Sequence, residues 1–98
     1  MNTIKVKKDT IHRAFAVAKR YATLASKVPY NIYDDKARKR YFLLREKVHS
    51  ATWHVLMSDD DRYIPHTLLQ SVVIAAADNN KRVADVVNAL EAIGLEIE

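Results

Sequence analysis

The 98-residue sequence contains no cysteine, a single glycine and only two prolines. The absence of cysteine excludes disulfide bonds, thiolate metal ligands and cysteine nucleophiles, and it suits a reducing compartment. Sheet-rich proteins need many tight turns, and tight turns favour Gly, Asn and Pro. The scarcity of these turn residues therefore favours long helices over sheets.

A long apolar stretch is also missing. The charge-free run that ends at Ala77 is much shorter than the ~20 residues that a membrane-spanning helix needs. The first residues, MNTIKVKKD, are charged and have no continuous apolar core, unlike a secretory signal. We therefore expect a cytoplasmic protein without a membrane segment.

Motifs that carry catalysis are equally scarce. One glycine cannot build a phosphate-binding loop, in which the backbone must approach the phosphates closely. Glu46 and His49 have the spacing of a di-metal ligand pair, but the chain has no second copy. The acidic run at 59–61 lacks the spaced ligands and the glycine of a calcium loop. We expect a non-enzyme with no catalytic residue, no cofactor and no metal site.

Apolar residues recur at helical spacing in four segments, which predicts an all-α, compact four-helix bundle in a single domain over residues 1–98. The first helix is expected from a cap at Asp9 or Thr10 to about residue 26, and the second from a cap at Asp34 or Asp35 to about residue 57. The third, from Pro65 to about residue 77, carries no charge and is apolar nearly all round. Such a helix belongs at the centre of a bundle.

The fourth helix is predicted over about residues 81–93, with Gly94 as its left-handed C-terminal cap. The two ends of the chain alternate like strands. Residues 4–7 alternate apolar side chains with lysine, and residues 95–98 alternate them with glutamate. These segments could pair as a two-stranded ribbon within one chain, pair between chains in a swapped dimer, or fray.

Charge is divided unevenly along the chain. Residues 1–49 contain 13 of the 16 lysines and arginines but four of the 12 acids, which gives +9, and the remainder carries −5. A cluster of cations attracts polyanions because binding releases counterions. The cations that we expect to contact phosphate are Arg13, Lys19, Arg20 and Lys27 in the first helix and Arg38 and Arg45 in the second.

Aromatic residues lie among these cations. Tyr30 and Tyr33 fall in the segment between the first two helices, and aromatic rings can stack on bases. The second helix also holds two rows of cations spaced by seven residues, Arg38 with Arg45 and Arg40 with Lys47. The sequence therefore favours a partner that carries phosphate, either DNA, RNA or a small phosphate ligand.

Other interpretations compete with phosphate binding. The basic residues could form a solvated face, or the acidic half of the chain could neutralise them. The third and fourth helices, joined by a short turn at 78–80, resemble the spacing of a helix-turn-helix. However, Lys81 occupies a position where that motif needs an apolar residue, and the surrounding half of the chain is acidic.

The alternative function is regulatory protein–protein interaction, as an inhibitor or adaptor. A second apolar strip on the second helix has residue types enriched at interfaces, and it contains Phe42, Trp53, Leu56 and Met57. Burial of Trp53 in the core would explain it equally well. A partner protein or a homo-oligomer would use this strip. The size and the helical, Cys-free composition also suit an accessory factor of a phage or mobile element, although no motif points to one.

Overall fold

In a computed structural model, the described residues of the chain form four helices and two short strands. The structure describes residues 5–29, 33–58 and 65–98. In chain order the elements are β1 (Lys5–Val6), α1 (Lys8–Ser26), α2 (Asp35–Met57), α3 (His66–Asp78), α4 (Val83–Ala92) and β2 (Glu96–Ile97). The prediction of an all-α bundle with a short ribbon is confirmed.

The helices share one apolar core. Both α1 and α3 contact all three other helices, and the most extensive packing joins α1 to α2. The core face of α1 is built largely from alanines, including Ala14, Ala18 and Ala22, which let neighbouring helices approach closely. Helix α3 contributes Leu69 and Val73, both fully buried. The predicted central position of the third helix is confirmed, and α1 shares it.

The first two helices differ in whether a side chain caps their N-terminus. Helix α1 begins at Lys8, earlier than predicted, and neither Asp9 nor Thr10 caps it. Thr10 is buried at 1% exposure instead. Helix α2 begins as predicted, because the Asp34 carboxylate accepts hydrogen bonds from the backbone nitrogens of Lys36 and Ala37, at 3.1 and 3.2 Å.

Helix α4 ends in a Schellman motif. Gly94 has a φ of 101°, and its N–H donates to the Glu91 carbonyl at 3.0 Å. The N–H of Leu95 donates to the Leu90 carbonyl at 3.1 Å. Leu90 and Leu95 are both buried, which adds the apolar contact that often accompanies this motif. The motif directs the chain back across the bundle and into β2.

The chain ends pair as a parallel ribbon within the same chain. Lys5 lies opposite Glu96, and Val6 lies opposite Ile97. Val6 is fully buried and Ile97 is half-buried, so one side of the ribbon extends the core. The ribbon fixes the start of α1 against the end of α4. None of the helices in the described ranges is long and apolar enough to span a membrane.

Candidate phosphate-binding surface

The structure does not bring the six predicted phosphate contacts onto one surface. Two of them form ion pairs within their own helices. Arg13 Nε lies 3.0 Å from a carboxylate oxygen of Asp9, and Arg38 Nη2 lies 2.6 Å from one of Asp35. Pairs at these spacings are solvent-exposed and weak, but they reduce the attraction that each arginine has for phosphate.

Two more of the predicted contacts face the end of α3. Arg45 donates from both terminal nitrogens to the carboxylate of Asp78, at 2.7 and 2.8 Å. Lys19 Nζ donates to the side-chain oxygen of Asn80 at 2.6 Å. These interactions hold α1 and α2 to the end of α3, so the acidic half of the chain neutralises Arg45 as one of the competing interpretations expected.

The remaining two, Arg20 and Lys27, lie on the solvent-exposed side of α1. They are seven residues apart, and seven residues are close to two helical turns, so their side chains leave the same face. Neither makes an ion pair with a residue that the structure describes. For these two residues, phosphate binding stays a prediction.

Two cations of helix α2 lie beside Lys27. Lys36 and Arg40 line a groove of about 400 Å³ together with Lys27, and Leu24 and Pro29 contribute to its apolar lining. The groove lies where α1 ends and α2 begins. Three cations from two helices therefore surround one partly apolar depression.

Further along the same two helices, cations flank a tyrosine. The guanidinium carbon of Arg20 and the ammonium nitrogen of Lys47 each lie 5.9 Å from the centre of the Tyr21 ring. Cations within about 6 Å of an aromatic ring are attracted by its quadrupole. Tyr21 thus brings one cation of α1 and one of α2 to the same position along the helix pair.

We call this surface the basic seam. Its members are Arg20, Lys27, Lys36, Arg40 and Lys47. None of the five makes an ion pair with a carboxylate in the described parts of the chain. The seam extends for about 16 Å along α2, from a rise of 1.5 Å per residue. Of its α2 members, Arg40 and Lys47 were visible in the sequence as a seven-residue pair, whereas Lys36 gave no such signal.

The predicted aromatic contacts are only partly placed. Tyr33 lies two residues before α2 and is 93% exposed. Tyr30 lies outside the described residues. Tyr33 is therefore exposed and close in sequence to Lys36, which lies at one end of the seam.

The predicted interaction strip on α2 needs a correction. Leu56 is fully buried in the core, so its prediction as an exposed interface residue is wrong. Phe42 is 54% exposed, and Trp53 is 36% exposed with its ring 5.6 Å from that of His66. Met57, also in the predicted strip, is 47% exposed, and Leu43, which the apolar spacing did not indicate, is 59% exposed.

Among the described residues, no three side chains of the metal-ligating types are grouped as a metal site would require. Comparison of the chain with known family models, curated proteins and solved structures gives no match.

Proposed function

We propose that the protein is a non-enzymatic, cytoplasmic binding protein that engages nucleic acid through the basic seam. The observation that supports this is the convergence of five cations from two helices without carboxylate partners among the described residues. A cation that is already paired must exchange its partner before it can bind phosphate. The cations of the seam need no such exchange. Each can therefore neutralise a phosphate directly, and the release of counterions from the nucleic acid then favours binding.

The shape of the seam favours a polymer over a single small phosphate. Its cations are spread over about 16 Å, from a rise of 1.5 Å per residue, whereas one phosphate group contacts only a few neighbouring donors. The groove beside Lys27 also has apolar lining, and Tyr33 is exposed close by in sequence. Apolar and aromatic surface beside a basic track suits the bases of a single strand. We therefore expect binding with little sequence preference.

Fluorescence anisotropy with labelled 20-nucleotide DNA and RNA strands at low salt tests this proposal. The double variant Lys36→Gln with Arg40→Gln removes two seam cations and should weaken binding at least tenfold, because each charge-assisted contact contributes about 1 kcal/mol or more. Both residues are on the surface. Lys8→Gln with Lys81→Gln is the matched control, since it removes the same charge away from the seam.

Two outcomes would reject the proposal. Failure of the unmodified protein to bind either polymer at low salt would remove its basis. Equal weakening by the two double variants would show that net charge, rather than the arrangement of the seam, controls binding.

The exposed apolar residues of α2 favour a second candidate function, regulatory protein–protein interaction. Phe42, Leu43, Trp53 and Met57 are all at least 36% exposed, and in helical projection they lie on the side of α2 opposite to buried Val48. Large apolar side chains that are exposed along one side of a helix are characteristic of protein interfaces. The face could bind a partner protein or a second copy of the chain.

Sedimentation equilibrium and affinity capture separate these possibilities. If the α2 face is an interface, Phe42→Ser should abolish self-association or capture of the partner. Ile93→Ser, which alters an equally exposed residue at the end of α4, should have no effect. A monomeric protein that captures no partner would exclude this second function.

A further inference from the structure

A separate cleft lies between α1, α2 and the end of α3. It has a volume of about 400 Å³ and shares no residue with the basic seam. Three alanines, Ala22, Ala25 and Ala77, line it from two helices and are almost completely buried. Larger side chains at these positions would fill the space, so the cleft is a consequence of small residues at this level of the bundle.

The charges of the side chains that line the cleft do not sum to zero. Arg45 and Asp78 neutralise each other through their two hydrogen bonds. Lys19 has only the neutral side chain of Asn80 as its hydrogen-bond partner among the described residues. An ammonium group has three N–H donors, and this contact uses one of them. The cleft therefore carries a net charge of about +1 and has donors available for an anion.

The position of Lys19 is fixed by the turn after α3. Asn80 adopts a left-handed φ of 54°, which suits asparagine better than most residues. The following N–H, of Lys81, donates to the Ala76 carbonyl at 2.9 Å and closes the turn. This arrangement holds the Asn80 side chain 2.6 Å from the ammonium nitrogen of Lys19, on the wall of the cleft.

Two further side chains complete the lining. The hydroxyl of Thr23 lies one helical turn after Lys19 and has no hydrogen-bond partner among the described residues. The half-buried ring of Tyr41 lines the cleft from α2. The cleft thus combines an ammonium group and a hydroxyl with an aromatic residue. Ligand sites commonly use a small number of placed polar groups to fix the orientation of the ligand.

We propose that this cleft binds a small phosphate monoester whose phosphate contacts Lys19 and Thr23 and whose compact apolar group lies beside the ring of Tyr41. A phosphate has several acceptor oxygens, so it can accept hydrogen bonds from Lys19 and Thr23 even though these donors do not form the paired fork that an arginine presents. The Arg45 guanidinium is already engaged on Asp78 and forms a fixed wall. This proposal does not depend on the basic seam.

Titration with phenyl phosphate, followed by two-dimensional amide NMR, tests the cleft directly. We expect concentration-dependent shifts at Thr23, Tyr41 and Asn80, and weaker binding of inorganic phosphate, which has no apolar group. Lys19→Met should weaken phenyl phosphate binding at least tenfold, since hydrogen bonds to charged groups contribute about 1.5–3 kcal/mol. Thr23→Val should weaken it to a smaller extent.

The controls distinguish this cleft from the seam. Lys27→Met removes the same charge from the seam and should leave phenyl phosphate binding unchanged, while Lys19→Met should leave binding of nucleic acid by the seam largely intact. Absence of shifts at millimolar phenyl phosphate would overturn the proposal. So would shifts that follow Lys27 rather than Lys19, or equal affinity for the neutral analogue benzyl alcohol, because the phosphate would then have no role.

Discussion

Arg45 and Asp78 form a two-point contact between the middle of α2 and the last residue of α3. Each terminal nitrogen of the guanidinium donates to a different carboxylate oxygen, at 2.7 and 2.8 Å. The side chains are 27% and 34% exposed, so the pair is partly shielded from water. The hydrogen bond from Arg45 lowers the pKa of Asp78, and the same contact raises the pKa of Arg45.

The lowered pKa of Asp78 predicts a loss of stability in acid. Above its usual value near 4, the carboxyl is ionised in both states and the pair contributes fully. As the pH falls, the unfolded chain binds a proton first, which favours unfolding. The contribution is lost as the pH falls through the pKa of the folded state. Asp78→Asn should therefore lower the free energy of unfolding at pH 7 by about 1 kcal/mol.

Urea unfolding measured at several pH values checks this prediction. The difference between the unmodified protein and Asp78→Asn should shrink towards zero below about pH 4. Glu46→Gln is a suitable control, because Glu46 is exposed and has no ion-pair partner among the described residues. A difference that is independent of pH would show that the carboxylate charge of Asp78 does not stabilise the fold.

The contrast between Leu56 and Met57 gives a second prediction. Leu56 is fully buried, whereas Met57 is 47% exposed. Leu56→Ala should reduce the free energy of unfolding by about 2–5 kcal/mol because it leaves a cavity. Met57→Ala should change it by less than about 0.5 kcal/mol, as exposed substitutions do. Chemical denaturation of the two variants measures both values, and a small effect of Leu56→Ala would contradict the packing of α2.

The placement of Leu56 also shows what periodicity predicts and what it misses. The spacing of apolar residues predicts the existence and approximate bounds of all four helices, since each buries a stripe. It does not place every apolar residue of α2 on the correct side, because Leu56 was assigned to the exposed strip and faces the core. The buried line of α2 runs through Val48, Thr52 and Leu56, and Thr52 is accommodated because its hydroxyl donates to the Val48 carbonyl at 2.6 Å. Because Thr52 is polar, a search for regularly spaced apolar residues does not detect this buried line.

The basic seam was predictable only in part, because local spacing reveals some of the ion pairs but not all of them. The pairing of Arg13 with Asp9 and of Arg38 with Asp35 follows from spacings of four and three residues on a helix. The partner of Arg45 is 33 residues away. That contact depends on how α2 packs against α3, which local spacing does not specify. The sequence therefore indicated a basic pair of helices but not which cations remain unpaired.

A third prediction concerns Gly94, whose φ of 101° is unfavourable for residues with a side chain. Apart from the adjacent residues of the chain, no atom of the described residues lies within 4 Å of a Cβ placed there, so the backbone conformation determines the cost of substitution. Gly94→Ala should lower the free energy of unfolding by about 1–2 kcal/mol. Thermal or urea unfolding measures this change. An unaltered stability would show that the Schellman motif does not end α4 in solution.

The salt dependence of nucleic acid binding tests the basic seam most directly. The affinity for a single-stranded oligonucleotide, measured between low and moderate salt, should fall linearly on logarithmic axes, with a slope set by the number of phosphates contacted. Lys36→Gln with Arg40→Gln should reduce the magnitude of this slope by about 1.4, because each lost contact contributes about 0.7. Lys8→Gln with Lys81→Gln should leave the slope unchanged. Equal slopes for the protein and the seam variant would contradict the proposed function.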